Sequence, residues 1–195
     1  MAPPDEKDRY GEKLRQAGKA REDQWAAERD RELLANLRRQ SEQREAAKEP
    51  SGGETAKLFS RIVCPTDLQE NSLCALEMAK RIAVQNDAII YLVHVCPPVG
   101  VPLGGTFAST VGDEDLASEQ LRTVASRKLS GTEHRLIVTT GEAAGKIIEV
   151  AQGLDADLIV MGTHGRRGIS RPVLGSVAAR VVREAPCPVL TSRTE

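Results

Sequence analysis

The chain of 195 residues carries 27 basic and 28 acidic side chains. It therefore has no overall field to draw nucleic acid or an anionic membrane surface. It has no apolar run long enough to cross a bilayer, and its start, Met-Ala-Pro-Pro-Asp-Glu-Lys, lacks a signal peptide's apolar region, so a cytoplasmic protein with no membrane partner is expected.

Hydrophobic residues make up 40% of the chain, yet residues 1–56 contain no Val, Ile or Phe. Charge does not distinguish the two parts: 12 basic and 13 acidic residues lie in 1–56, and 15 of each follow. The expected division is a charged helical or partly disordered arm over 1–49, a linker over 50–56 and a globular domain over 57–195. From Asp5 to Glu49 the residues are good helix formers. Pairs such as Asp5 and Arg9, Glu12 and Arg15, or Glu28 and Arg31 stand at helical neighbour spacing. The apolar stripe is thin: Leu14, Ala17, Trp25, Leu33, Leu34 and Leu37. Such a helix frays alone and needs a partner to persist. Glu49-Pro50-Ser51-Gly52-Gly53-Glu54 ends it.

The apolar stretch 58–64 predicts a first strand, stopped by Pro65, Thr66 and Asp67. Asn71 or Ser72 is placed to cap a helix that carries Leu73, Leu76, Ala79, Ile82 and Ala83 on one face. Residues 88–95 are continuously apolar, as in a strand covered on both faces. A Pro- and Gly-rich loop over 96–112 is long enough to border a ligand. Then come a helix over 113–130, a strand over 134–139 and a helix over 142–152 with Ile147, Ile148 and Ala151 inward. A strand over 157–161, a glycine-rich turn, a helix over 172–185 and a strand over 188–192 complete the series.

Strands alternating with helices predict an α/β fold: a doubly wound five-stranded parallel sheet of order 3-2-1-4-5 with helices on both faces. The crevice of such a sheet opens where the strand order reverses. Asp67, after strand one, then faces the turn after strand four.

That turn, residues 162–176, reads Gly-Thr-His-Gly-Arg-Arg-Gly-Ile-Ser-Arg-Pro-Val-Leu-Gly-Ser. A glycine-rich turn leading into a helix gathers backbone N–H groups and the positive helix end around an anion, and glycine lets the ligand approach the backbone. Taken alone, it is equally compatible with a tight turn that holds nothing. It is neither a P-loop nor a Gly-x-Gly-x-x-Gly fingerprint. The spacing of Gly162, Gly165, Gly175 and Ser176 resembles the nucleotide-binding signature of the universal stress protein family. The resemblance covers residues 57–195, through Pro186-Cys187-Pro188-Val189-Leu190.

The resemblance implies ATP, with or without magnesium, held by the turn and the first strand's end. Pro65, Thr66 and Asp67 match the first-strand motif near the adenosine, Val95 a position whose backbone meets adenine, and Gly162, Gly165, Gly175 and Ser176 the phosphate and ribose positions. It also implies a homodimer through the last strand, where Val189-Leu190-Thr191 forms an edge. Arg166 lies inside the turn and is assigned to phosphate. His164 is read as a spacer, Arg167 as a solvated neighbour and His94 as a core or rim residue. Ser176 has no general base near it in sequence and suits a phosphate rather than a nucleophile's role.

No catalytic residue and no protein-held metal site is expected. Cys64, Cys74, Cys96 and Cys187 lack a C-x-x-C pair and read as reduced thiols. The reading is an ATP-binding stress-response sensor with little or no hydrolysis; the alternative is a slow ATPase or nucleotidyl-transfer enzyme on the same fold. Residues 15–39 resemble the inhibitory helix of the F1-ATPase inhibitor protein family, with Glu22-Asp23-Gln24-Trp25 preceding Arg31-Glu32-Leu33-Leu34. That second resemblance implies a protein partner such as a rotary ATPase.

Overall fold

A computed structural model describes residues 24, 25, 27–43, 46, 57–97, 101–103, 106–108, 111–163 and 174–192. Five parallel strands form the central sheet: β1 (Arg61–Pro65), β2 (Ile89–Cys96), β5 (His134–Thr140), β6 (Leu158–Gly162) and β7 (Val189–Ser192). Their order is β5-β2-β1-β6-β7, all parallel, which is the predicted 3-2-1-4-5 arrangement.

The connecting helices are α2 (Glu70–Asn86), α3 (Val111–Lys128), α4 (Ala143–Gly153) and α5 (Ser176–Glu184). Two features of these elements depart from the sequence reading, besides the start of α5 taken up below. The stretch expected as a loop holds an antiparallel hairpin, β3 (Val101–Leu103) with β4 (Thr106–Ala108), in which Leu103 pairs with Thr106. Two residues, Gly104-Gly105, join those strands in sequence, which is a hairpin signal that the glycine count of the whole stretch had hidden. Helix α2 is not capped by Asn71 or Ser72. Its N-cap is Gln69, without a side-chain cap bond, and Ser72 lies inside the helix with its hydroxyl turned to the Gln69 carbonyl at 2.8 Å.

The continuously apolar strands are explained by two cores. On one face Ile62, Cys64, Ile90, Leu92, Leu158 and Val160 pack with α2 and α3. On the other, Val63, Ile89, Tyr91, Val93, Ile159 and Met161 pack with α4 and α5. Successive side chains of one strand point to opposite faces, so each strand must be apolar throughout.

An N-terminal helix, α1 (27–43), joins the second core. Two helices about 10 Å wide cover only about four strands spaced near 4.8 Å. With α4 and α5 in place, the face of the outer strand β5 is left for α1. Leu34 and Leu37 of α1 are buried with Ile137 of β5 and with Ile147, Val150 and Leu154 of the α4 segment. The partner that this thin stripe needed is therefore the chain itself. Of the other stripe residues, Trp25 is 63% exposed and Leu33 39% exposed, while Leu14 and Ala17 lie outside the described residues.

Candidate functional site

Strands β1 and β6 are adjacent and parallel, with Ile62 beside Leu158 and Val63 beside Ile159. The segments that follow them, from Thr66 and from Thr163, thus leave the sheet at the same end, where the strand order reverses.

The first segment is tightly held. Pro65 and Thr66 are buried. Thr66 N–H donates to the Val93 carbonyl at 2.8 Å, extending the ladder past the end of β1. The Thr66 hydroxyl lies 2.8 Å from that of Ser72 and accepts from Leu68 N–H at 3.0 Å. The Thr66 carbonyl takes a bond from His94 Nδ1 at 2.8 Å, so that nitrogen carries the proton. His94 is 5% exposed and acts as the backbone clamp of this turn. Leu68 sits at φ +65, a conformation costly for a side chain with a Cβ and sustained here by the surrounding bonds.

These constraints aim Asp67. Its Oδ1 accepts from Gln69 N–H at 3.1 Å, closing a turn of the kind aspartate favours. Its Oδ2 is buried and has no hydrogen-bond partner among the described residues. A buried carboxylate oxygen left unmatched costs free energy, so it marks a place where a donor from outside the protein would be stabilised.

On the opposite bank, Thr163 N–H donates to the Ser192 carbonyl at 3.0 Å, and the Thr163 carbonyl accepts from Gly175 N–H at 2.8 Å. Thr163 and Gly175 are thereby tied to each other. Gly175 is the N-cap of α5 and provides no side-chain cap, and the first turn has no acidic residue. The first turn of α5, beginning at the exposed Ser176, presents N–H groups of the kind that meet water or an anion.

Val95 is half-buried and lies two residues beyond Val93, the last β2 residue paired with β1. By the alternation of the ladder its backbone faces the same side as that of Val93, past the end of β1. Pro65, Thr66, Asp67, Val95, Gly162, Gly175 and Ser176 are thus gathered at one end of the sheet. Gly165 and Arg166, with His164 and Arg167, lie outside the described residues.

No group of three or more metal-ligating side chains occurs among the described residues. Cys64 is fully buried, and burial pushes its thiol up to about 12. The predicted fourth helix starts at Ser176, not at 172, so Gly175 caps it where a run-through helix would have buried its N–H groups.

Fold and site define a doubly wound α/β protein with its crevice at the carboxyl ends of the strands. Residues 58–193 match the model of the universal stress protein family, and the chain belongs to that family. A universal stress protein of Methanocaldococcus jannaschii is 39% identical over 145 residues, covering 68% of this chain and 81% of the relative. One of Thermus aquaticus is 34% identical over 137 residues, covering 70% of this chain and all of the relative.

Among solved structures, a universal stress protein in complex with cAMP shares 25% identity at a TM-score of 0.56, covering 70% of this chain and 98% of that one. The Archaeoglobus fulgidus protein in complex with dAMP shares 26% at 0.54, covering 69% and 98%. Helix α1 lies outside the matched family region.

Proposed function

We propose that this chain is a nucleotide-binding sensor of the universal stress protein family, with an adenine nucleotide in the crevice between Asp67 and the start of α5. The observation that carries the reading is the buried, unpartnered Asp67 Oδ2 at the end of the sheet where α5 offers uncapped N–H groups. A carboxylate suits the hydroxyls of a ribose or the amino group of a base. The helix start and the glycine-rich turn suit the phosphates. That structural neighbours hold cAMP and dAMP supports a nucleoside phosphate as the ligand class.

ATP is the ligand we assign, with Gly162, Gly165, Gly175, Ser176 and Arg166 on its phosphates and Pro65, Thr66, Asp67 and the Val95 backbone about the nucleoside. No described side chain at this end is arranged as a general base beside a nucleophile, so slow or absent hydrolysis fits better than turnover. The N-terminal segment then acts as an appendage to residues 57–195. Strand β7 is the sheet edge we assign to pairing with a second copy, with Leu190 38% exposed on it and Val182 of α5 48% exposed.

Titration calorimetry with ATP tests the reading. Asp67→Asn keeps the shape and removes the charge, and is expected to weaken binding by about 10- to 100-fold, the worth of a hydrogen bond to a charged group. Equal affinity in the variant would remove Asp67 from the site. No binding by the wild-type chain would remove the nucleotide. A single-turnover assay with magnesium separates sensor from enzyme, since hydrolysis at ordinary enzyme rates contradicts the sensor.

A further inference from the structure

The groove beneath α1 has both a shape and a charge pattern. Ile137 and Thr139 of β5 line one side, Lys146, Val150 and Gly153 of α4 the other, and Asp155 stands at its far end. The arm meets it with Asp30, Leu34, Leu37 and Ser41, all shielded from solvent, at intervals of four, three and four residues. Those intervals place them on one side of a helix.

The groove reads these positions individually. Asp30 Oδ2 accepts from the Thr139 hydroxyl at 2.9 Å and from Lys146 Nζ at 3.1 Å, with the two charged side chains only 13% and 20% exposed. Leu34 fills a notch left by Gly153, where a Cβ would stand 2.8 Å from Leu34 Cδ1. Arg38 closes an ion pair on Asp155. Ser41 satisfies its own hydroxyl on the Arg38 carbonyl at 2.8 Å and so enters the joint without an unmet polar group.

A mostly polar helix of this length is marginal in water without a surface to lie on. Docking and folding of the arm are therefore a single event. Seventeen residues of sequence, 44–60, separate α1 from β1, a reach of up to about 60 Å when extended. The helix can leave its groove without disturbing β1.

We propose that the α4–β5 groove is a recognition site for an amphipathic helix bearing an acid, two leucines and a serine at this spacing. The arm fills it in cis and, once that arm lifts, the arm of a second copy fills it in trans. The tether gives the cis helix a high effective concentration and keeps the groove closed to free ligand. Neither the groove nor the arm includes a residue assigned to nucleotide, so this inference and the nucleotide reading stand or fall separately.

The test uses the full chain with Leu34→Asp and Leu37→Asp, which empties the groove without touching it, and a fluorescent peptide of residues 27–43 as probe. The peptide is expected to bind the variant at least tenfold more tightly than the wild type. A peptide carrying Asp30→Asn should bind the variant at least threefold more weakly than the unaltered one. Equal affinity for both proteins, or no binding to a variant with a native melting curve, overturns the proposal. Should that variant fail to fold, hydrogen exchange over 27–43 decides. Asp30→Lys should raise it at least tenfold and Asp30→Lys with Lys146→Asp should return it toward wild type; no rise, or no recovery, overturns the proposal.

Discussion

The two faces that meet under α1 were built by different means. The sheet with α2 to α5 draws on many buried Val, Ile, Leu and Ala side chains, with Ile62, Ile90, Leu92, Leu121 and Val160 fully buried. The arm contributes Leu34 and Leu37 to the apolar core, together with one shielded ion pair. Burying those two leucines is worth about 2 kcal/mol each. Hydrophobic burial is decisive in the sheet and slight in the arm. The sheet should therefore unfold as one body, with the arm leaving first.

The sharpest contrast comes from one leucine in each region. Leu92→Ala opens a cavity in the core under α2 and α3, and is expected to cost about 2–5 kcal/mol, seen as a fall in the main melting transition. Leu34→Ala should release the arm, raising proteolysis and hydrogen exchange over 27–43, while moving that main transition by less than about 1 kcal/mol. If both variants lower the main transition equally, arm and sheet are one cooperative unit and the contrast fails.

A smaller effect tests how α4, which faces the arm on one side, is anchored. Glu142 caps it by accepting from Ala144 and Gly145 N–H groups at 3.0 and 2.8 Å, and also pairs with Arg180 of α5 at 2.6 Å. The backbone bond from Gly145, joined by that from Ala144 and by the Arg180 charge, holds its pKa below the usual glutamate value against the opposing effect of burial. A depressed carboxylate adds stability above its unfolded pKa and loses it as pH falls through the folded one. Glu142→Gln is expected to cost about 1 kcal/mol at neutral pH, an ordinary cap's worth. In urea titrations the difference between wild type and variant should shrink as pH falls below the glutamate range. A difference that stays constant down to pH 2 would mean the cap acts without its charge.

The smallest effect is the most diagnostic of the joint. Gly153→Ala gains up to about 1 kcal/mol of helix propensity in α4, yet its new methyl meets Leu34. The sheet should hold its melting transition or gain slightly while hydrogen exchange of the arm rises. If arm exchange is unchanged, Leu34 adapts and the notch is not selective.

Much of this was legible from pattern. The five strands, their order and the convergence of Asp67 with Gly162 followed from Val- and Ile-rich runs alternating with helical stretches and from the handedness of the crossovers. The α2 cap was missed because Ser72 looks like any capping serine, and only the position of Thr66 shows that its hydroxyl is needed elsewhere. The hairpin escaped because three-residue strands are too short for periodicity to register. The role of His94 was invisible, since nothing in a strand's sequence shows that its imidazole will grip the carbonyl that aims Asp67.

The amino-acid sequence by itself determined which stretches are sheet and which are charged helix, because burial on two faces demands apolar residues at every strand position and solvent does not. It also placed a glycine-rich turn before an uncapped helix, a local property of the backbone. Where the arm lies was decided only in three dimensions. Asp30, Leu34 and Leu37 are ordinary residues until Thr139, Lys146 and Gly153, more than a hundred positions away, come together as the surface that matches them.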